Sequence, residues 1–166
     1  MTREIALLIT LALLVVFLLL AWRGWTNRIG KYGHLPALTP ASEADWRPSS
    51  TFSLLYVATT EADQPMERVA RKPLAYRARA QVGVAAEGLW VSIPGEDDFV
   101  LPGSLIRGVG RATWTIDRVV DSNGLLFVRW LWGDTAVDSY FRSVDYPAED
   151  VLAALDHLIP PTKESA

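Results

Sequence analysis

A mainly β domain with a C-terminal helix, carried behind one N-terminal transmembrane helix, is the fold class this sequence predicts. Three observations predict it. An unbroken apolar run lies near the N-terminus, short alternating apolar and polar runs bounded by turn residues follow, and the last stretch changes to the period of a helix.

The first element is the span. Ile5 to Trp22 is a run of 18 residues in which Thr10 alone is mildly polar. As a helix rising 1.5 Å per residue it covers about 27 Å, just enough to cross a bilayer. Neither Pro nor Gly interrupts it, so a helix satisfies its whole backbone in lipid. A cleaved signal peptide needs a shorter apolar region and a small-residue cleavage site. Ala-Trp-Arg-Gly-Trp after the run is a poor one, so residues 1–25 are read as an uncleaved anchor.

Trp22 and Trp25 fall where indoles collect at the interface, together with Arg23, Arg28 and Lys31. Arg3 is offset by Glu4, whereas those three cations follow the run with no acid before Glu43. Basic flanks stay inside, which predicts a single pass through the cell membrane with the N-terminus outside and the domain cytoplasmic. Topology alone explains the cations, although the same charges suit anionic head groups.

The second element is a linker. Pro36, Pro40 and Pro48 interrupt residues 26–50, which read as a basic juxtamembrane stretch and an extended tether. A domain over residues 51–161 and a tail of residues 162–166 complete the chain.

Within the domain, alternation predicts seven strands: Phe52–Thr59, Tyr76–Val84, Leu89–Ile93, Asp98–Leu101, Ile106–Val119, Leu125–Trp132 and Thr135–Arg142. Glu87-Gly88, Pro94-Gly95, Asn123-Gly124 and Gly133-Asp134 supply the tight-turn residues between them. Val151, Leu152, Leu155, Leu158 and Ile159 then form an apolar stripe along one helix, opened by Pro147 and closed by Pro160-Pro161. A strongly bent sheet leaves an open end, and such a helix would plug it.

That order resembles the pleckstrin-homology superfold, a seven-stranded β-barrel with one capping helix. More narrowly, the chain resembles a family of small actinobacterial single-pass membrane proteins with a bacterial pleckstrin-homology-like domain. The residues that carry the resemblance are Leu54-Leu-Tyr-Val-Ala-Thr-Thr60 with Arg68-Val69, Tyr76-Arg-Ala-Arg-Ala80 with Gly88, and Trp130-Leu-Trp-Gly-Asp-Thr135 with Asp138 and Phe141-Arg142. It covers nearly the whole chain, and none of the motifs is a catalytic or ligand signature. Around Arg111 to Arg118 the chain departs from the family, with Trp114 where smaller residues are expected. The family's genes often lie among those for pyrimidine biosynthesis, which implies an enzyme of that pathway as one candidate partner.

Charge excludes some functions. From Leu35 onward eighteen Asp or Glu stand against twelve Lys or Arg, a net −6, the wrong sign for nucleic acid. The absence of cysteine removes disulfides, thiolate catalysis and thiolate metal sites, and fits a reducing compartment. His34 and His157 lie far apart in the sequence, and no nucleophile elbow is present. Asp134, Asp138 and Asp145 with Glu96, Asp97 and Asp98 match no calcium loop, and turns or solvated loops account for them. Gly103, Gly108 and Gly110 lack the trailing Lys-Ser or Lys-Thr of a phosphate loop, so a bulge is the better reading. No catalytic residue, cofactor site, metal site or small-molecule substrate is therefore expected.

Two binding readings remain. In eukaryotic relatives of the superfold, the loop between the first two strands holds phosphoinositides with a Lys, a gap and a basic-x-Arg pair. Lys72, Arg77 and Arg79 reproduce that spacing, with Arg68 and Arg71 upstream and Gln81 on the same strand face. Glu61, Asp63 and Glu67 in the same loop oppose it, and any solvated strand face can alternate in this way. Trp90, Trp114, Trp130 and Trp132 lie on predicted strands and invite a binding platform. Core is the stronger reading for most, because each buries about 150–250 Å² that a small domain needs. Trp114, between Thr113 and Thr115, is the one placed on a partner surface. The expected function is a non-catalytic, membrane-anchored module that docks a cytoplasmic protein or its own copies, with an anionic-lipid or phosphate sensor as the alternative.

Overall fold

The computed structural model describes residues 2–112 and 125–158, divided into one unit ending at His34 and another beginning at Leu35. The first unit holds helix α1, Thr2–Lys31. Its stretch Arg3–Thr26 is long and apolar enough to cross a membrane, with none of its apolar window buried in protein. Trp22, Arg23, Trp25, Arg28 and Lys31 all fall within α1. The Lys31 ammonium lies 5.2 Å from the centre of the Tyr32 ring.

The second unit is an antiparallel sheet of nine strands among the described residues: β1 (Thr39–Pro40), β2 (Ser50–Glu61), β3 (Gln64–Arg68), β4 (Ala78–Ala85), β5 (Gly88–Ser92), β6 (Phe99–Pro102), β7 (Ile106–Arg111), β8 (Leu125–Trp132) and β9 (Thr135–Ser143). Helix α2, Ala148–Asp156, follows. The strands run in the order β1-β6-β5-β4-β2-β9-β8-β7, with β3 paired to β2. β1 and β7 end the series without pairing to one another, so the sheet is open rather than a closed seven-stranded barrel.

The two strands absent from the expectation explain the miscount. β1 has two residues, one of them Pro40, and pairs at the edge of β6 where a missing N–H is tolerated. β3 is exposed at all five positions, so no burial alternation marks it in the sequence. The other six predicted strands appear within about two residues of their predicted bounds, while of the fifth, predicted over Ile106–Val119, β7 covers Ile106–Arg111. Residues 113–119 of the predicted fifth strand, Trp114 among them, lie outside the described residues, as do the Asn123-Gly124 turn and Ile159.

The Pro-rich stretch differs more. The sequence reads it as an extended tether; from Leu35 onward the stretch packs and hydrogen-bonds along the sheet. Leu35 is buried, the Ala41 amide donates to the Asp98 carbonyl at 2.8 Å, and the Ser49 amide donates to the Val84 carbonyl at 2.7 Å. Proline content flags chain without helix or ladder, and such chain can still fill a groove.

The core lies on the inner face: Leu54 and Tyr56 from β2, Ala80 and Val82 from β4, Leu126, Val128, Trp130 and Trp132 from β8, and Val151 and Leu155 from α2 are buried. Trp130 and Trp132 stack at 5.3 Å between ring centres, which places both in the core, while Trp90 is partly exposed. Val151 and Leu155, four residues apart, are the apolar stripe of α2.

Candidate functional site

Three groups of side chains carry polar chemistry in the sheet domain. The first is buried and threads the core. Tyr56 Oη lies 2.8 Å from the Leu74 carbonyl and 2.9 Å from Thr59 Oγ1. A carbonyl only accepts, so the single phenolic proton goes to Leu74 and the Thr59 hydroxyl donates to Tyr56. Thr59 Oγ1 then accepts from Ser139 Oγ at 2.8 Å, and Ser139 accepts the Trp130 indole N–H at 2.9 Å. Each proton is used once in a chain running from β8 through β9 and β2 to the β3–β4 loop. Burial raises the Tyr56 phenol well above its ordinary value, against the smaller lowering effect of its Thr59 bond and of Arg68. This chain explains Tyr56, Thr59 and Trp130 within the family motifs as packing rather than as recognition.

The second group sits on the other face. Thr60, Asp138 and Arg129 form one cross-strand row, and Ala58, Tyr140, Phe127 and Gly110 the next. Arg129 donates to both oxygens of Asp138, at 2.7 Å from Nε and 2.9 Å from Nη2, and to Asp63 at 2.9 Å. The bonds to Asp138, outweighing burial, hold Arg129 firmly in its charged form. Asp63, at φ 62°, turns the chain from β2 into β3. A Cβ on Gly110 would lie 2.8 Å from the Phe127 ring, so the glycine admits that ring. A cleft of about 200 Å³ lies among Asp63, Phe127, Arg129, Asp138 and Tyr140. The acidic residues weighed for calcium thus separate: Asp138 is an ion-pair partner, and no cluster able to hold a metal occurs among the described residues.

The third group is the predicted anion site, which the structure does not gather on one point. Arg71 donates to the Leu35 carbonyl and lies 5.7 Å from the Trp132 ring centre. Lys72 pairs with Glu96 at 3.0 Å in the β5–β6 loop. Arg79 lies 3.9 Å from Asp145 after β9. Arg68 reaches the Val57 carbonyl at 3.5 Å. Arg77 is exposed. The spacing of these cations is visible in the sequence; their carboxylate partners, 24 residues or more away along the chain, are not.

Two further features bear on binding. β7 is paired on one side only among the described residues, and α2 lies beside it, with Arg111 of β7 bonded to Glu149 of α2. A second, open cleft of about 600 Å³ runs among Arg47, Ser49, Glu87, Ala154 and His157.

No curated protein matches the chain. Among solved structures, the C-terminal domain of an unknown protein from Leishmania infantum is similar at 10% identity over 70% of this chain and 88% of that one, with a TM-score of 0.45. The profile of the bacterial PH domain-like family matches residues 33–155. That stretch begins before the buried Leu35 and ends within α2, taking in the sheet and the Pro-rich segment packed on it. The chain belongs to the bacterial PH domain-like family.

Proposed function

We propose that this chain is a non-catalytic, PH-like binding module of the cell membrane that docks a cytoplasmic protein partner or its own copies. In this reading α1 spans once, with the N-terminus outside and the sheet domain in the cytoplasm. The observation that carries docking is the end of the sheet: β7 has a partner strand on one side only among the described residues, with α2 alongside. An added strand would satisfy the edge backbone, and the helix would supply a groove wall. The net −6 of the domain favours a basic partner.

Anchoring supports the same reading. α1 ends at Lys31 and the sheet domain begins at Leu35, so little chain separates a membrane helix from a binding domain. Partners already at the membrane then meet it at high effective concentration without tight intrinsic affinity. The resemblance to a family encoded near pyrimidine genes makes an enzyme of that pathway one candidate.

Crosslinking in native membranes followed by mass spectrometry tests the proposal without a guess at the partner. Recovery of one protein, or of self-crosslinks through β7 or α2, is the expected result. Recovery of neither, alongside a specific lipid, would replace it with the anionic-lipid sensor. A reporter enzyme fused after Ala166 tests orientation, since activity only from an exported reporter would reverse it. Turnover of any substrate by residues 35–166, lost on replacing one Asp or Glu, would end the non-catalytic reading.

A further inference from the structure

The segment that leads into the sheet domain is held by side chains distant in sequence. The Trp132 indole N–H donates to the Pro36 carbonyl at 2.8 Å. Arg71 donates to the Leu35 carbonyl and lies over the Trp132 ring. Gly133, at φ 62°, leaves room for Pro36, whose Cδ would lie 2.9 Å from a Cβ at that position. Two successive carbonyls of the lead-in are therefore taken by two side chains that also touch each other. The Leu35 side chain is buried.

The same contacts close a ring through the core. Trp132 stacks on Trp130, Trp130 starts the hydrogen-bonded chain through Ser139, Thr59 and Tyr56, and that chain ends on the Leu74 carbonyl. Leu74 lies three residues beyond Arg71 in the β3–β4 loop, and Arg71 returns to Leu35. Moving the loop outward withdraws Arg71 from Leu35, and freeing the lead-in removes a partner from both Arg71 and Trp132.

We propose that Arg71 and Trp132 form a releasable clamp on Leu35–Pro36, coupling the β3–β4 loop to the segment where the chain enters the domain. Anything that draws the loop outward releases Leu35–Pro36 from Arg71 and Trp132, and anything that pulls on the lead-in reshapes the loop. The device requires no particular ligand, and it stands independently of the docking proposal.

The absence of native cysteine makes thiol labelling a clean test in the full chain in its membrane. A reporter introduced by Leu35→Cys reads the lead-in, one by Leu74→Cys reads the loop, and one by Ala80→Cys reads the core; all three native side chains are buried. Arg71→Ala and Trp132→Phe should each speed labelling at position 35 at least about tenfold, a shift of roughly 1.4 kcal/mol in opening, and leave position 80 slow. Gly133→Ala, which presses on Pro36, should speed labelling at position 74 as well. Unchanged labelling at position 35 in both variants would overturn the clamp. So would equal acceleration at positions 35 and 80, because the lead-in would then open only with the whole domain. Acceleration at position 35 by Gly133→Ala with none at position 74 would overturn the coupling.

Discussion

Arg129 and Asp138 face one another across β8 and β9 as a bidentate ion pair, and the carboxylate of that pair is almost fully removed from solvent while the guanidinium keeps 33% of its exposure. The pair lies on the face opposite the main core, in register with Thr60. Asp138→Asn keeps the shape but leaves Arg129 half-compensated. It should lower unfolding stability by about 2–3 kcal/mol, less than for a fully buried pair because Arg129 still reaches water. Denaturant unfolding of residues 35–166 checks this as a lower midpoint at unchanged slope. Asp63→Asn removes the outer partner of the same arginine, and with 81% of that side chain exposed the expected loss is under about 1 kcal/mol.

Tyr56→Phe removes the last donor in the buried chain and leaves the Leu74 carbonyl without its proton. The expected loss is about 1–3 kcal/mol, the range for one buried polar group left unpaired. The pH dependence follows from the sign of the shift. Burial raises the phenols of both Tyr56 and Tyr140 in the folded state, so their contribution is complete below the ordinary phenol value near 10 and falls as pH rises above it. Alkaline unfolding curves should decline less steeply in Tyr56→Phe than in the unchanged protein, with the residual slope from Tyr140.

Arg111 holds the Glu149 carboxyl below the usual glutamate range through a direct bond. A lowered carboxylate pKa means that the contact is intact above the ordinary glutamate range and is lost as pH falls through the depressed folded value. NMR titration of the Glu149 side chain should show its midpoint rising toward the ordinary value in Arg111→Ala. No change would mean that the bond linking β7 to α2 does not persist in solution.

A fragment beginning at Ser50 should be less stable than one beginning at Leu35. The shorter piece loses the buried Leu35 side chain, the bond between Trp132 and Pro36, and β1 along β6. Burial of one leucine is worth about 1.5–3 kcal/mol, so the difference should exceed about 2 kcal/mol in paired denaturant curves. Equal stability would show residues 35–49 to be a free tether after all.

Sequence patterning reveals what repeats with a period and little of what closes at long range. The apolar run of α1 is visible because it is unbroken over 18 residues, and the longer strands and the α2 stripe because each buries one face over many residues, as Leu126, Val128, Trp130 and Trp132 do along β8. β3 is invisible because both its faces meet solvent, and β1 because two residues carry no period. The lead-in reads as a spacer because its partners, Arg71 and Trp132, lie 36 and 96 residues further along the chain. For the same reason the spacing of Lys72, Arg77 and Arg79 is visible in the sequence, while the carboxylates that meet Lys72 and Arg79 are not.

Those carboxylates decide how the loop should behave toward lipid. Lys72 and Arg79 each keep 72% of their side-chain exposure yet already face Glu96 and Asp145, in a domain of net charge −6. Residues 35–166 should therefore float weakly with vesicles of anionic phospholipid, and the little that floats should be lost as salt rises. Glu96→Gln with Asp145→Asn should strengthen flotation by about fivefold per carboxylate removed, since a charge at a lipid surface is worth about 1 kcal/mol. Replacing Lys72, Arg77 and Arg79 together by Ala should abolish it. Partner crosslinks through the β7 edge should survive that triple replacement and moderate salt, because an added strand is held by main-chain bonds rather than by these cations. Loss of the crosslinks in the triple variant would move the docking surface from the end of the sheet to the β3–β4 loop.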